Sequence, residues 1–169
     1  DYASVPAEMK AVAKELGVSV LRETTEDAVL ANVRTLREKV GDRAIMRALH
    51  FFNENRRVAA QVEALRAGDI EAFKAGVTAS GNSSFKYLQN VYTIKNIAEQ
   101  GLSLALCLTE DFLAGTGAVS RVHGGGFAGT IQAFVPVHDT AAYAARMNAV
   151  FGEGACHILS VRPSGACRI

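Results

Sequence analysis

Ser120-Arg121-Val122-His123-Gly124-Gly125-Gly126-Phe127-Ala128-Gly129-Thr130-Ile131 lies between two alternating segments, and that placement governs how its glycines are read. Upstream, Gly117 to Val122 alternates small or apolar residues with polar ones and predicts a strand. Downstream, Thr130 to Val135 alternates more clearly, stops at Pro136, and puts Ile131, Ala133 and Val135 on one face. Gly124, Gly125 and Gly126 free the backbone for positive φ and admit another group within contact distance. Gly124, Gly126 and Gly129 also satisfy Gly-x-Gly-x-x-Gly. A dinucleotide site needs a helix directly after the glycines, because the pyrophosphate sits at that helix N-terminus. Here a strand follows, so that reading is excluded. A protein-kinase glycine loop does join two strands, but the Val-Ala-Ile-Lys, His-Arg-Asp and Asp-Phe-Gly signatures are absent. From the residues alone two readings stand together. The loop turns N–H groups toward a phosphate, or its glycines only permit tight packing.

Composition narrows the class. A chain of 169 residues, 49% apolar, can bury a core within one domain and is not disordered. A formal charge of +1 leaves no electrostatic footprint for nucleic acid. The longest strongly apolar run, about Leu102 to Leu108, falls far short of the roughly 20 residues of a membrane span. Cys107, Cys156 and Cys167 are odd in number and lack CxxC spacing, which predicts reduced thiols in a cytoplasmic protein. His50, His123, His138 and His157 lack metal-ligand spacing, so no metal ligand set is expected; His123, inside the glycine loop, is the candidate site histidine. The first residue is Asp1 and not Met, which leads us to expect a processed product or a fragment of something longer.

The spacing predicts helices over the first two thirds and strands at the end. Ser4 is placed to cap a helix that runs to Leu16 and stops at Gly17. Thr24 or Thr25 caps a second, with Val29, Val33, Leu36 and Val40 on its inner face. Asp42 caps a long third helix with Ile45, Leu49, Phe52, Ala59, Val62 and Leu65 inside, and Arg47, Glu54, Arg57 and Glu63 toward water. The Arg56-Arg57 pair reads as solvated. Asp69 caps a fourth helix through Ile70, Phe73 and Val77; Ser80 to Ser84 reads as a turn, and a fifth helix spans about Lys95 to Ala114. Beyond Gly115 come the two strands around the loop and a helix capped by Asp139. A strand over Ala155 to Val161, a turn at Pro163-Ser164-Gly165 and a strand over Ala166 to Ile169 follow. The expectation is an α+β chain: a helical part over 4–114 and a strand-rich part over 115–169, with a small four-stranded antiparallel sheet covered by helices on one face.

Three regions carry a family likeness. The loop Arg121-Val122-His123-Gly124-Gly125-Gly126-Phe127-Ala128-Gly129 stands against a family pattern Arg-Met-Thr-Gly-Gly-Gly-Phe-Gly-Gly. Asn53-Glu54-Asn55-Arg56-Arg57-Val58, followed by Ala64-Leu65-Arg66-Ala67-Gly68-Asp69-Ile70-Glu71-Ala72-Phe73, looks like the family's long helix and its Leu-x-x-Gly-Asp-x-x-x-Phe continuation. Ser84-Phe85-Lys86 stands at the family's Ser-Leu-Arg. On these the chain, over nearly its whole length, resembles the C-terminal domain of galactokinase, in the GHMP kinase superfamily. Asp1-Tyr2 looks like the acidic-Tyr pair that opens this part of the family.

The resemblance implies a ferredoxin-like C-terminal domain over 1–169, partnered by an N-terminal ATP- and sugar-binding domain that this chain lacks. It implies transfer of the γ-phosphoryl of ATP to galactose, assisted by Mg²⁺. The catalytic residues are then outside this chain, which is expected to be inactive alone. It gives Arg121, His123, Gly124, Gly125, Gly126 and Phe127 a supporting role at the triphosphate end and gives Tyr2 a sugar hydroxyl; read without the family, Tyr2 is a terminal aromatic. Departures are His123 for the loop threonine, Ala128 for a late glycine, Gly81-Asn82 for a Ser-His pair, and Tyr87 and Gln89 for an Asp and a Tyr. Alternatives of another kind are a non-catalytic sugar sensor and a free-standing binding module. A kinase of another small molecule, such as mevalonate or homoserine, is the runner-up within the enzyme class.

Overall fold

Helical spacing in the first third folds into a layer around the start of one long helix. The computed structural model describes residues 1–127 and 129–161. Helices α1 (Ser4–Glu15), α2 (Glu26–Ala31) and α3 (Val33–Val40) pack on the N-terminal half of α4 (Asp42–Arg66). Val12, Ala13, Val29, Leu36, Ala44, Ile45 and Ala48 form their shared core. Thr25 Oγ1 caps α2 by accepting from the Ala28 N–H. The single helix expected over this stretch is broken at Asn32, whose side-chain amide donates to the Ala28 carbonyl and competes with the helical ladder.

Helix α5 (Ile70–Ser83), capped by Asp69 through the Ala72 N–H, returns along α4. It continues into a π-helical turn over Ser84–Leu88 that ends at Gln89 in the left-handed region (φ +55°). The expected turn at Ser80 to Ser84 is therefore helical. These serines are not solvated: Ser80, Ser83 and Ser84 are buried and let α5 lie close to its neighbours. A Cβ on Gly81 would stand 2.9 Å from Arg121 Cβ and 3.2 Å from the Ser120 carbonyl.

Helix α6 (Gly101–Phe112) is shorter than expected, since residues 95–100 are not helical. It backs an antiparallel hairpin of β1 (Val119–His123) and β2 (Thr130–Phe134), paired Val122 to Ile131 and His123 to Thr130. Ile131, Ala133 and Val135 pack with Ala105, Leu113, Tyr143 and Met147 from α6 and α7 (Thr140–Phe151). Among the described residues the architecture is α+β, helix-rich, with a two-stranded antiparallel sheet.

The strand expected over Ala155 to Val161 does not form: residues 157–161 are irregular, with Ile158, Leu159 and Val161 exposed. A segment rich in strand-forming residues becomes a strand only against a neighbour's ladder, and among the described residues no strand pairs with it. The turn at Pro163-Ser164-Gly165, the strand over Ala166 to Ile169 and the departure at Ala128 lie outside the described residues. Among the described residues no helix is long and apolar enough to cross a membrane.

Candidate functional site

The hairpin loop is seated by its backbone. Gly124 (φ +61°), Gly126 (φ +77°) and Phe127 (φ +59°) all take the left-handed region that the glycine run permits. The Phe127 N–H donates to the Asn90 carbonyl at 2.7 Å, and the Asn90 side-chain amide donates more weakly to the Gly125 carbonyl at 3.4 Å. A Cβ on Gly126 would stand 2.8 Å from the Asn90 carbonyl carbon and closer still to its oxygen. This glycine is needed for close approach between two backbones. The inward donor next to it, the Phe127 N–H, is already committed to the protein.

Gly125 meets the other end of the chain. A Cβ there would lie 2.8 Å from Tyr2 Cδ2, so the tyrosine ring rests against the glycine backbone. Tyr2 is nonetheless 69% exposed, which leaves its outer face open. The fold thus joins Tyr2 to the glycine loop. His123 is exposed at the end of β1. Arg121 turns away from the loop: its guanidinium donates to the Val122 carbonyl and to Ser80 Oγ, and lies 3.6 Å from Glu54.

Sequence reading placed Arg47 and Arg57 on the solvent face of α4, and the structure corrects both. Arg47 is 1% exposed. Its guanidinium donates to the Leu88 carbonyl, to Ser4 Oγ and to Glu8 Oε2, each at 2.9 Å. Burial pulls its basicity down, with nearby Arg43 adding to that, while Glu8 opposes both. Arg43 forms a two-pronged pair with the same Glu8 carboxylate. Arg57 is half-buried and paired with Glu54, which also accepts from Ser80. Val62 and Leu65, expected inside, are exposed. A small crevice beside the loop is lined by Asp1, Arg43, Arg47, Gln89, Tyr92 and Phe127, among others.

His50 was also missed. It is buried on α4, with Nδ1 2.9 Å from Ser83 Oγ, and burial holds its pKa below the usual histidine value. Asn90, which anchors the loop, gives no sequence signal beyond a polar residue in a turn. Among the described residues no group of three His, Cys, Asp or Glu side chains is placed to hold a metal ion. The arrangement offers an aromatic hydroxyl, a braced glycine hairpin and a buried guanidinium behind both.

No family model matches the chain. It is 31% identical over 136 residues to the galactokinase of Actinobacillus pleuropneumoniae serotype 5b (strain L20), an alignment covering 80% of this chain and 33% of that protein. A second Actinobacillus pleuropneumoniae galactokinase matches at the same identity and coverage. The crystal structure of Lactococcus lactis galactokinase complexed with galactose superposes with a TM-score of 0.67 at 25% identity, covering 90% of this chain and 37% of that one. The chain thus spans about a third of the length of the curated relatives it matches, and in sequence and in fold it is galactokinase-like.

Proposed function

We propose that this chain is the C-terminal part of a cytoplasmic galactokinase-like sugar kinase. The whole protein transfers the γ-phosphoryl of MgATP to a hexose, with galactose the leading candidate. The catalytic groups and the main phosphate loop reside in an N-terminal domain. This chain contributes the Tyr2 hydroxyl to the sugar and a braced hairpin to the triphosphate end of the site.

The observation that carries the reading is the seating of Tyr2 on Gly125. Two stretches that resemble galactokinase, far apart in the sequence, meet at one surface. The solved galactokinase of matching fold was crystallised with galactose, which supports the same sugar here. Phosphoryl transfer depends on positioning and charge neutralisation. The loop fits a supporting role, since the Phe127 N–H is held by Asn90 and the Gly129 N–H by the Gly126 carbonyl.

The test is sugar-dependent ADP release by the product of the whole reading frame. It is run with MgATP and a panel of hexoses led by galactose, with mevalonate and homoserine included. Galactose-specific release is expected. A folded, ATP-binding product that releases no ADP with any hexose would overturn the kinase reading for sugars. The sensor reading would then take its place.

A further inference from the structure

We propose that Arg47 is a positioning residue that holds Tyr2 and the glycine loop in a common register. Its guanidinium reaches two backbone segments at once. On one side it donates to Ser4 Oγ, and Ser4 Oγ donates to the Asp1 carbonyl at 2.6 Å, the carbonyl of the peptide group that leads into Tyr2. On the other side it donates to the Leu88 carbonyl, two residues before Asn90. Asn90 in turn accepts from the Phe127 N–H and backs Gly126. The loop closes the circuit by seating Tyr2 on Gly125.

A fully buried arginine is a poor device for stability alone, since a well-packed apolar residue often serves as well. What arginine alone supplies is a rigid fork of donors pointing in fixed directions. Here the fork meets a hydroxyl and a carboxylate on α1 and a carbonyl on the Leu88 segment. Gln89 in the left-handed region turns the chain between the Leu88 and Asn90 carbonyls, so a shift of one moves the other. The catalytic consequence rests on the kinase reading above, whereas the coupling itself does not.

The experiment therefore begins with the chain itself and needs no turnover. In NMR spectra the Tyr2 ring should displace the Gly125 α-proton resonances through its ring current, and the Phe127 amide should exchange slowly. Arg47→Lys keeps the charge and loses the fork. It is expected to abolish the Gly125 displacement and to speed Phe127 exchange by roughly ten-fold or more, leaving the Val29 and Met147 methyl resonances in place. Ser4→Ala cuts only the arm toward Tyr2, so it should reduce the Gly125 displacement while Phe127 protection persists; it serves if Arg47→Lys does not fold. Both signals intact in Arg47→Lys would overturn the proposal, as would an unchanged Gly125 displacement in Ser4→Ala. In the whole-frame product Arg47→Lys should lower kcat/KM for the sugar by roughly a hundred-fold, the scale of a small misplacement. A wild-type product without turnover would count against the kinase and leave the NMR result standing.

Discussion

Adding one methyl group at Gly126 should cost the fold far more than adding the same methyl two residues earlier, at Gly124. Both positions take positive φ, +77° and +61°, so alanine at either meets the left-handed penalty of about 1–2 kcal/mol. At Gly124 nothing lies within 4 Å of the new atom, and the cost ends there. At Gly126 the methyl overlaps the Asn90 backbone, which cannot swing aside as a side-chain tip can. The loop must lift, and the Phe127–Asn90 hydrogen bond goes with it. Asn90 is 3% exposed, so its carbonyl is left buried without a partner, at a further ~1–3 kcal/mol. The totals are ~2–5 kcal/mol for Gly126→Ala against ~1–2 kcal/mol for Gly124→Ala. With a urea m-value of about 2 kcal/mol/M, the additional term lowers the unfolding midpoint by roughly 0.5–1.5 M. Urea titrations of the two variants, with Phe127 amide exchange as a local reporter, read this directly. Equal midpoints, or a Phe127 amide as protected in Gly126→Ala as in the parent, would refute the assignment of Asn90 as the seat of the loop.

Gly125→Val should behave differently again. The nearest atoms to the new side chain all belong to the exposed Tyr2 ring, which can rotate away, so stability should change by no more than about 0.5 kcal/mol while phosphoryl transfer by the whole-frame product falls. Unchanged turnover in that variant would sink the role given to the loop. Burial holds the His50 pKa below the usual value, so the fold takes up that proton less readily than the unfolded chain, which binds it below about pH 6.5. Stability present at neutral pH should therefore decline as pH falls from about 6.5 toward 5, and His50→Gln should flatten that slope in urea titrations. Tyr143 and Thr109 share a buried hydroxyl pair at 2.7 Å, so Tyr143→Phe should cost about 1–2 kcal/mol and lower Tm by roughly 2–8 °C.

The elements were legible where side-chain pattern and backbone need coincide. Thr25 and Asp69 announce helix starts because their oxygens accept the N–H groups a first turn leaves free. The hairpin was legible because Ile131, Ala133 and Val135 alternate toward one core. The reading failed where tertiary contacts override local composition. Ser80 to Ser84 looks like a turn because serine competes with its own backbone for hydrogen bonds. In the fold those hydroxyls have outside partners, Glu54 and Arg121 for Ser80 and His50 for Ser83, and the helix runs on. The segment from Ala155 to Val161 failed in the opposite sense. Its Ile158, Leu159 and Val161 are strand-forming types, but a strand is a relation between two segments, and composition describes only one.

The site was half legible for a related reason. Glycines and a terminal tyrosine can be read from sequence because they are unusual where they stand. Nothing in a helical pattern distinguishes an arginine that faces water from one that faces carbonyls. Arg47 sits between Met46 and Ala48, with Arg43 one turn before it, and periodicity assigns it to the polar face. What turns that face inward is α1, with Ser4 and Glu8, on one side and on the other the left-handed step at Gln89, beside which the Leu88 carbonyl meets the helix and the Asn90 carbonyl the loop. These carbonyls are acceptors that no side-chain letter encodes. A buried charge bonded to one backbone carbonyl and to two side chains of α1 resists drift of both segments, since moving either leaves the guanidinium underpaired. That gives a physical reason for Tyr2, which precedes α1 and whose carbonyl accepts from the Val5 N–H, to keep its place on Gly125 while most of its surface stays open to solvent.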